Sequence, residues 1–182
     1  MRRPLAFISI FCVTVMLSSI AGERRVAAKA DTGMVKRSAV GVGVGYRPPE
    51  FSASDLNGQR QDLQQYQGNV LVLHFWASWC PYCRGEIPKL LKVHGELASK
   101  GVKVLTVSTD QDVAKLKQFV AENHLPYPVI ADLEADPSVA DQYGVSGIPV
   151  TLIVTKDGHI AYRLTGTSDI VDSVQHVLEQ LS

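Results

Sequence analysis

Apolar segments of strand length alternate along the chain with stretches whose apolar residues recur at helical spacing. Val70-Leu71-Val72-Leu73-His74-Phe75-Trp76 is an almost unbroken apolar run, which suits a strand covered on both faces, as in parallel sheets. Residues 81–99 then place Ile87, Leu90, Leu91, His94 and Leu97 at helical spacing, and 102–107 return to a second buried strand. Residues 112–123 predict an amphipathic helix with Val113, Leu116, Phe119 and Val120 inward, followed by a short strand over 127–131 and a helix over 137–143. The segments 150–155 and 160–164 flank Lys156-Asp157-Gly158 and read as a hairpin. A last helix carries Ile170, Val171, Val174, Val177, Leu178 and Leu181 along one side. Strands alternating with helices, closed by a hairpin and a terminal helix, predict an α/β domain with a central mixed β-sheet flanked by helices.

The N-terminal pattern is different. Arg2 and Arg3 precede an apolar run over residues 5–20, and Ala21 and Gly22 follow it. This is the plan of a secretory signal peptide, with cleavage expected after Ala21 or Gly22. The run lies between a signal's apolar region and a full membrane span of about 20 residues. Residues 1–30 are therefore read as a signal peptide or as an N-terminal membrane anchor that stays in place. Arg24, Arg25 and Lys29 leave a basic transit peptide as the lesser alternative. Residues 31–47, with Gly41-Val42-Gly43-Val44-Gly45, read as a flexible tether, and 48–182 as the domain. Near its start, Asn57-Gly58 signals a hairpin turn.

Composition changes this picture little. Eighteen basic and eighteen acidic residues balance, so nothing calls for nucleic acid. Without residues 1–30 the chain keeps 13 basic and 17 acidic residues, a mildly acidic soluble domain. Three cysteines are too few for a disulfide-stapled miniprotein, and Cys12 reads as apolar filler in the leader.

The other two cysteines carry the chemistry. Trp79-Cys80-Pro81-Tyr82-Cys83 lies between a buried strand and a helix. Cysteines at i and i+3 on a first helical turn share a face, at a separation that suits a disulfide. Cys80 falls where free backbone N–H groups and the positive helix end stabilise a thiolate, so its pKa is expected to fall from about 8.5 toward 7 or lower. Pro81 suits the first helical position because it has no N–H to lose. Cys80 is thus the expected nucleophile, and Cys83, one turn inside, the resolving thiol. Three other readings compete. A zinc knuckle needs four ligands, and there is no second cysteine pair. Haem attachment needs histidine after the second cysteine, and position 84 is arginine. An inert structural disulfide would close too short a loop to stabilise much. Redox chemistry is preferred, with no metal and no cofactor.

Phe75-Trp76-Ala77-Ser78-Trp79-Cys80-Pro81-Tyr82-Cys83 resembles the active site of the thioredoxin superfamily. Arg84-Gly85-Glu86-Ile87-Pro88 resembles its exported, often membrane-tethered TlpA/ResA-like branch. The resemblance extends over residues 46–182, including 144–151 and the Lys156-Asp157-Gly158 turn. It implies a thioredoxin-like fold with an N-terminal β-hairpin and a central insertion. It also implies a thiol–disulfide oxidoreductase that cycles a Cys80–Cys83 disulfide. Pro149 matches the family's cis-proline, and the Ile148 backbone beside it is expected to pair with an extended client segment. Trp79 and Tyr82 would shape the contact surface. The resemblance favours reduction of client proteins with cysteine pairs, such as apocytochrome c or copper-site proteins. Electrons would come from a membrane-embedded thiol reductase, and the location would be periplasmic or otherwise extracytoplasmic.

Glu86, i+3 from Cys83, is a candidate proton acceptor for the resolving thiol, the alternative being a surface glutamate paired with Lys89. His74 stands where thioredoxin itself has a buried aspartate. It is read as a hydrogen-bonded core histidine or a proton relay. Pro88 is expected to kink the helix. Two rivals share the fold. A copper-binding chaperone would space its cysteines by three residues rather than two. A peroxidase would need a threonine-containing cysteine motif that is missing.

Overall fold

The computed structural model describes residues 39–180. The expected leader, the first part of the expected tether, and Leu181 lie outside the described residues. Two strands, β1 (Ser52–Ser54) and β2 (Arg60–Asp62), pair antiparallel as a small N-terminal hairpin. Asn57 and Gly58 lie in its turn, with Gly58 at φ +78°, a conformation glycine adopts at no steric cost. The central sheet contains β3 (Val70–Trp76), β4 (Val102–Ser108), β5 (Val129–Ala131), β6 (Val150–Val154) and β7 (Ile160–Thr165), in the order β5-β4-β3-β6-β7. The β3–β4 and β4–β5 pairs are parallel; β6 and β7 run antiparallel to their neighbours. The helices are α1 (Pro81–Glu96), α2 (Val113–Glu122), α3 (Val139–Gln142) and α4 (Ile170–Gln180). The mixed sheet and flanking helices expected from the apolar pattern are both present.

Period-two alternation divides the core. Val70, Val72 and Trp76 of β3 pack with Leu90 and Val93 of α1, Leu116 of α2, and Val174 and Val177 of α4. Leu71, Leu73 and Phe75 face the other way, toward Phe51, Leu63, Val139 and Tyr143. His74 shares its face with Val72 and Trp76 and so lies on the α1 side of the sheet. All of β3 is buried, which is why its sequence shows a continuous apolar run rather than alternation.

Helix boundaries follow their caps. The Cys80 sulfur caps α1, and the helix runs past Pro88 to Glu96; the last residues of the expected 81–99 helix become a 3-10 turn, Ala98–Lys100. Asp112 caps α2 by accepting from the Lys115 N–H, and Ser138 caps α3. α3 is a single turn, shorter than the expected 137–143, and Gly144 ends it at φ +58°. The Asp136–Pro137 peptide, before that cap, is cis.

The reading of residues 31–47 as a flexible tether needs correction over its described part. The Gly45 N–H donates to the Ile160 carbonyl and the Ile160 N–H to the Tyr46 carbonyl, both at about 2.8–2.9 Å, so the segment lies along the start of edge strand β7. Gly41 and Arg47 are hydrogen-bonded to each other, and Arg47 to Ala39. At the opposite edge, Leu56 donates to the Val129 carbonyl and Asp55 bridges Ile130, so the N-terminal hairpin covers β5. Among the described residues no helix is long and apolar enough to cross a membrane.

Candidate active site

Phe75 of β3 pairs with Val150 of β6, which puts the exit of β3 beside Pro149 at one end of the sheet. The four residues 77–80 connect that exit to α1. Cys80 and Cys83 form a disulfide with their Cα atoms 5.3 Å apart, within the ordinary range for such a bridge. The Cys83 N–H donates to the Cys80 sulfur at 3.2 Å, so Cys80 occupies the electropositive end of the helix. Both sulfurs are sheltered in this oxidised form: Cys80 is 4% exposed and Cys83 wholly buried. Trp79 and Tyr82 stand out around them at 62% and 69% exposure. The Ile148–Pro149 peptide is cis, Pro149 is buried, and Ile148 is half-buried.

Glu86 is wholly buried. Its Oε1 accepts the Ser168 backbone N–H at 2.9 Å, while Oε2 has no hydrogen-bond partner in the protein. Burial raises its pKa, offset in part by the Ser168 N–H and the charge of Lys89. The alternative of a surface pair with Lys89 does not match this geometry, because the Lys89 ammonium donates instead to the Ser168 carbonyl at 2.6 Å. His74 lies next to the carboxylate. Its Nδ1 is 2.9 Å from the Thr151 hydroxyl and 3.9 Å from Glu86 Oε2, the latter too long for a hydrogen bond. Burial lowers the His74 pKa to about 3, so the ring is neutral at physiological pH. His74 is therefore a hydrogen-bonded core histidine that brings no positive charge to Glu86. Among the described residues no three histidine, cysteine, aspartate or glutamate side chains gather as ligands would.

Two residues near the site, Ser168 and Asp110, lie outside the motifs that the sequence shows. Thr151 and Ser168 are the partners of His74 and Glu86. Ser78 is held by Asp110, a buried carboxylate in the loop after β4. For Asp110 the one signal is topological: β3 and β4 run parallel, so the loops after them emerge at the same end of the sheet, where sites form.

A mixed sheet in this strand order, with a Cys-Pro-Tyr-Cys disulfide at the N-terminus of the first long helix, defines a thioredoxin-fold redox protein. Residues 44–163 match the AhpC/TSA family, and the chain belongs to it. It is 31% identical over 136 residues to the thiol-disulfide oxidoreductase ResA of Geobacillus thermodenitrificans, covering 75% of this chain and 77% of that protein. With the protein of the same name from Bacillus thuringiensis subsp. konkukian it shares 28% identity over 123 residues, covering 68% and 70%. Among solved structures it resembles the thioredoxin domain of a thiol-disulfide oxidoreductase from Bacteroides vulgatus. That match has a TM-score of 0.68 and 25% identity, over 75% of this chain and 98% of the other. The chain is a thiol–disulfide oxidoreductase of the ResA type.

Proposed function

We propose that this protein reduces disulfides of client proteins outside the cytoplasm, with Cys80 as nucleophile and Cys83 as resolving thiol. The observation that carries this reading is the Cys83 N–H directed at the Cys80 sulfur at the start of α1, which favours a thiolate at Cys80. The Cys80 thiolate attacks one sulfur of the client disulfide. The client S–S bond breaks, its other sulfur leaves as a thiolate, and a mixed disulfide forms. The Cys83 thiol, deprotonated by Glu86, then attacks the Cys80 sulfur. The client's second sulfur leaves as a thiolate, the two client thiolates take up one proton from Glu86 and one from solvent, and the enzyme keeps the Cys80–Cys83 disulfide. Two electrons pass from enzyme to client.

Glu86 suits the proton step because one of its oxygens is idle and burial raises its proton affinity. Ile148 and Pro149, beside the exit of β3, would hold an extended client segment by strand pairing, with Trp79 and Tyr82 as its apolar contacts. Export is supported by Arg2 and Arg3 before the apolar run over 5–20, with residues 1–30 as signal peptide or anchor. Resemblance to the TlpA/ResA-like branch supports the reducing direction, a membrane-embedded thiol reductase as donor, and apocytochrome c or copper-site cysteines as clients.

The test uses the full chain in its native cell envelope. The Cys83→Ala variant should accumulate mixed disulfides through Cys80, and acid-quenched alkylation of wild type should find the dithiol mainly reduced. Mixed disulfides that form with Cys80→Ala but not with Cys83→Ala would reverse the assigned roles. A wild-type pool that is mainly oxidised would overturn the direction.

A further inference from the structure

The loop between β3 and α1 is fixed by a carboxylate from a different strand's loop. Asp110, 3% exposed, follows β4 by two residues. Its Oδ2 accepts the Ser78 backbone N–H at 2.8 Å, and its Oδ1 accepts the Ser78 hydroxyl at 2.6 Å. Oδ2 also accepts the Ser108 hydroxyl at 2.5 Å, and the Asp110 N–H donates back to Ser108 Oγ at 3.1 Å. The remaining polar group of Ser78, its carbonyl, accepts from Arg84 Nε on the first turn of α1. The Arg84 guanidinium lies 5.1 Å from the centre of the Phe119 ring, which in turn packs on Trp76. Ser78 therefore has no free polar group, and it sits two residues before Cys80. On one side of it Thr109 donates to the Trp76 carbonyl; on the other the Cys80 N–H donates to the Ala77 carbonyl.

A buried carboxylate is costly unless well supplied with donors. Asp110 accepts three donors, and two of them come from a single residue of the β3–α1 loop, Ser78. We infer that Asp110 is a positioning residue for Cys80. By clamping Ser78 it fixes the entry angle of the loop, so that the Cys80 sulfur meets the Cys83 N–H at the start of α1. The inference rests on the proposed role of Cys80 as nucleophile, and it adds a residue from another strand's loop to that site.

Position and charge predict opposite signs, which makes the idea testable. If Asp110 acted only through its negative charge, removing it would make the Cys80 thiolate easier to form. If it positions the loop, removing it lets the sulfur drift from the helix end, and the thiolate becomes harder to form. Glu86 and His74, on the α1 side of the dithiol, and the neighbouring Arg84 are left intact in either case.

The experiment measures the rate of iodoacetamide alkylation of Cys80 against pH, in the reduced full-length protein, with wild type as reference. Asp110→Ala should move the midpoint of the profile upward and slow alkylation at pH 7 at least threefold. Asp110→Asn keeps the shape, one acceptor for the Ser78 N–H and a polar group for its hydroxyl. It should stay within twofold of wild type. Ser78→Ala removes only the hydroxyl half of the clamp and should shift the midpoint in the same direction by less. An Asp110→Ala midpoint that is unmoved or lowered overturns the inference, even if the protein melts earlier, since lost stability alone does not retune a thiol. Should Asp110→Ala fail to fold, Ser78→Ala decides, and an unmoved midpoint overturns it. A wild type whose Cys80 is not the fast-reacting thiol would fail the nucleophile assignment instead, a separate result visible before any variant is made.

Discussion

Replacing Glu86 with glutamine separates a proton acceptor from a structural carboxylate. Glutamine can still accept the Ser168 N–H through its amide oxygen, so the 2.9 Å bond that orients the side chain survives. It cannot take a proton from Cys83. General-base contributions run to about 10²-fold, and resolution of the mixed disulfide at pH 7 should slow by about that factor. Stability should respond with a definite sign. In the folded state the Glu86 pKa lies above its ordinary value of 4.5, because burial disfavours the charged form. Between the two values the native state holds a proton that the unfolded chain has released. Wild-type stability therefore falls as pH rises through that window. Each tenfold gain in proton affinity on folding costs about 1.4 kcal/mol once the site is ionised. Glutamine has no such term, so the stability of Glu86→Gln relative to wild type should improve from pH 4.5 upward and level off once Glu86 is fully ionised. Urea unfolding at pH 4, 6 and 8 reads the stability, and stopped-flow resolution of a preformed mixed disulfide reads the rate. A surface ion pair with Lys89 would behave otherwise. It would lose at most about 1 kcal/mol at neutral pH, with no change in rate. An unchanged rate together with parallel stability curves would refute the reasoning.

Two further outcomes follow from the same geometry. His74 stays neutral in the fold down to about pH 3, while the unfolded chain binds its proton near 6.5, so wild-type stability should fall by about 1.4 kcal/mol per pH unit between pH 6 and 4 from this residue alone. His74→Asn should flatten that acid limb by about one proton in urea titrations, and an identical slope would contradict the neutral assignment. Trp79→Ala and Tyr82→Ala, at exposed positions, should each change stability by less than about 0.5 kcal/mol. Each should lower kcat/KM for insulin disulfides several-fold while leaving reduction of a small aromatic disulfide within twofold. Equal losses on both substrates would remove these rings from client docking.

The elements that hydrophobic periodicity exposes well are those with a whole face or both faces buried. β3 and β4 show as apolar runs, and α1 and α4 as one-sided stripes. What periodicity blurs is where an element stops, because caps and missing donors decide that. β5 begins at Val129 rather than 127 because Pro128 has no N–H to give the ladder. Over residues 39–47 the glycine spacing suggests freedom, whereas the structure uses the backbone N–H of Gly45 and C=O of Tyr46 to cover the start of β7. The dithiol is local in sequence and therefore legible. Glu86 was legible as to side, from helical spacing, but not as to depth, since its burial depends on the Ser168 loop 82 residues away. Asp110 lies 32 residues from Ser78 and has no motif, so only strand order brings the two together.

In the mechanism proposed above, the two buried carboxylates divide the dithiol's requirements between them. Asp110 has both oxygens engaged by three donors, all from serines. Glu86 has one oxygen engaged and one idle, on the helix that carries Cys83. The neutral His74 sharpens this division. Had the ring been charged, its Nδ1 at 3.9 Å would have lowered the proton affinity of Glu86 and weakened it as an acceptor. A neutral ring tied to Thr151 leaves that affinity to be set by burial against the Ser168 N–H and Lys89. A carboxylate that holds the loop and a carboxylate free to take a proton are thus distinguished by how many donors each is given, a difference the residue types alone do not reveal.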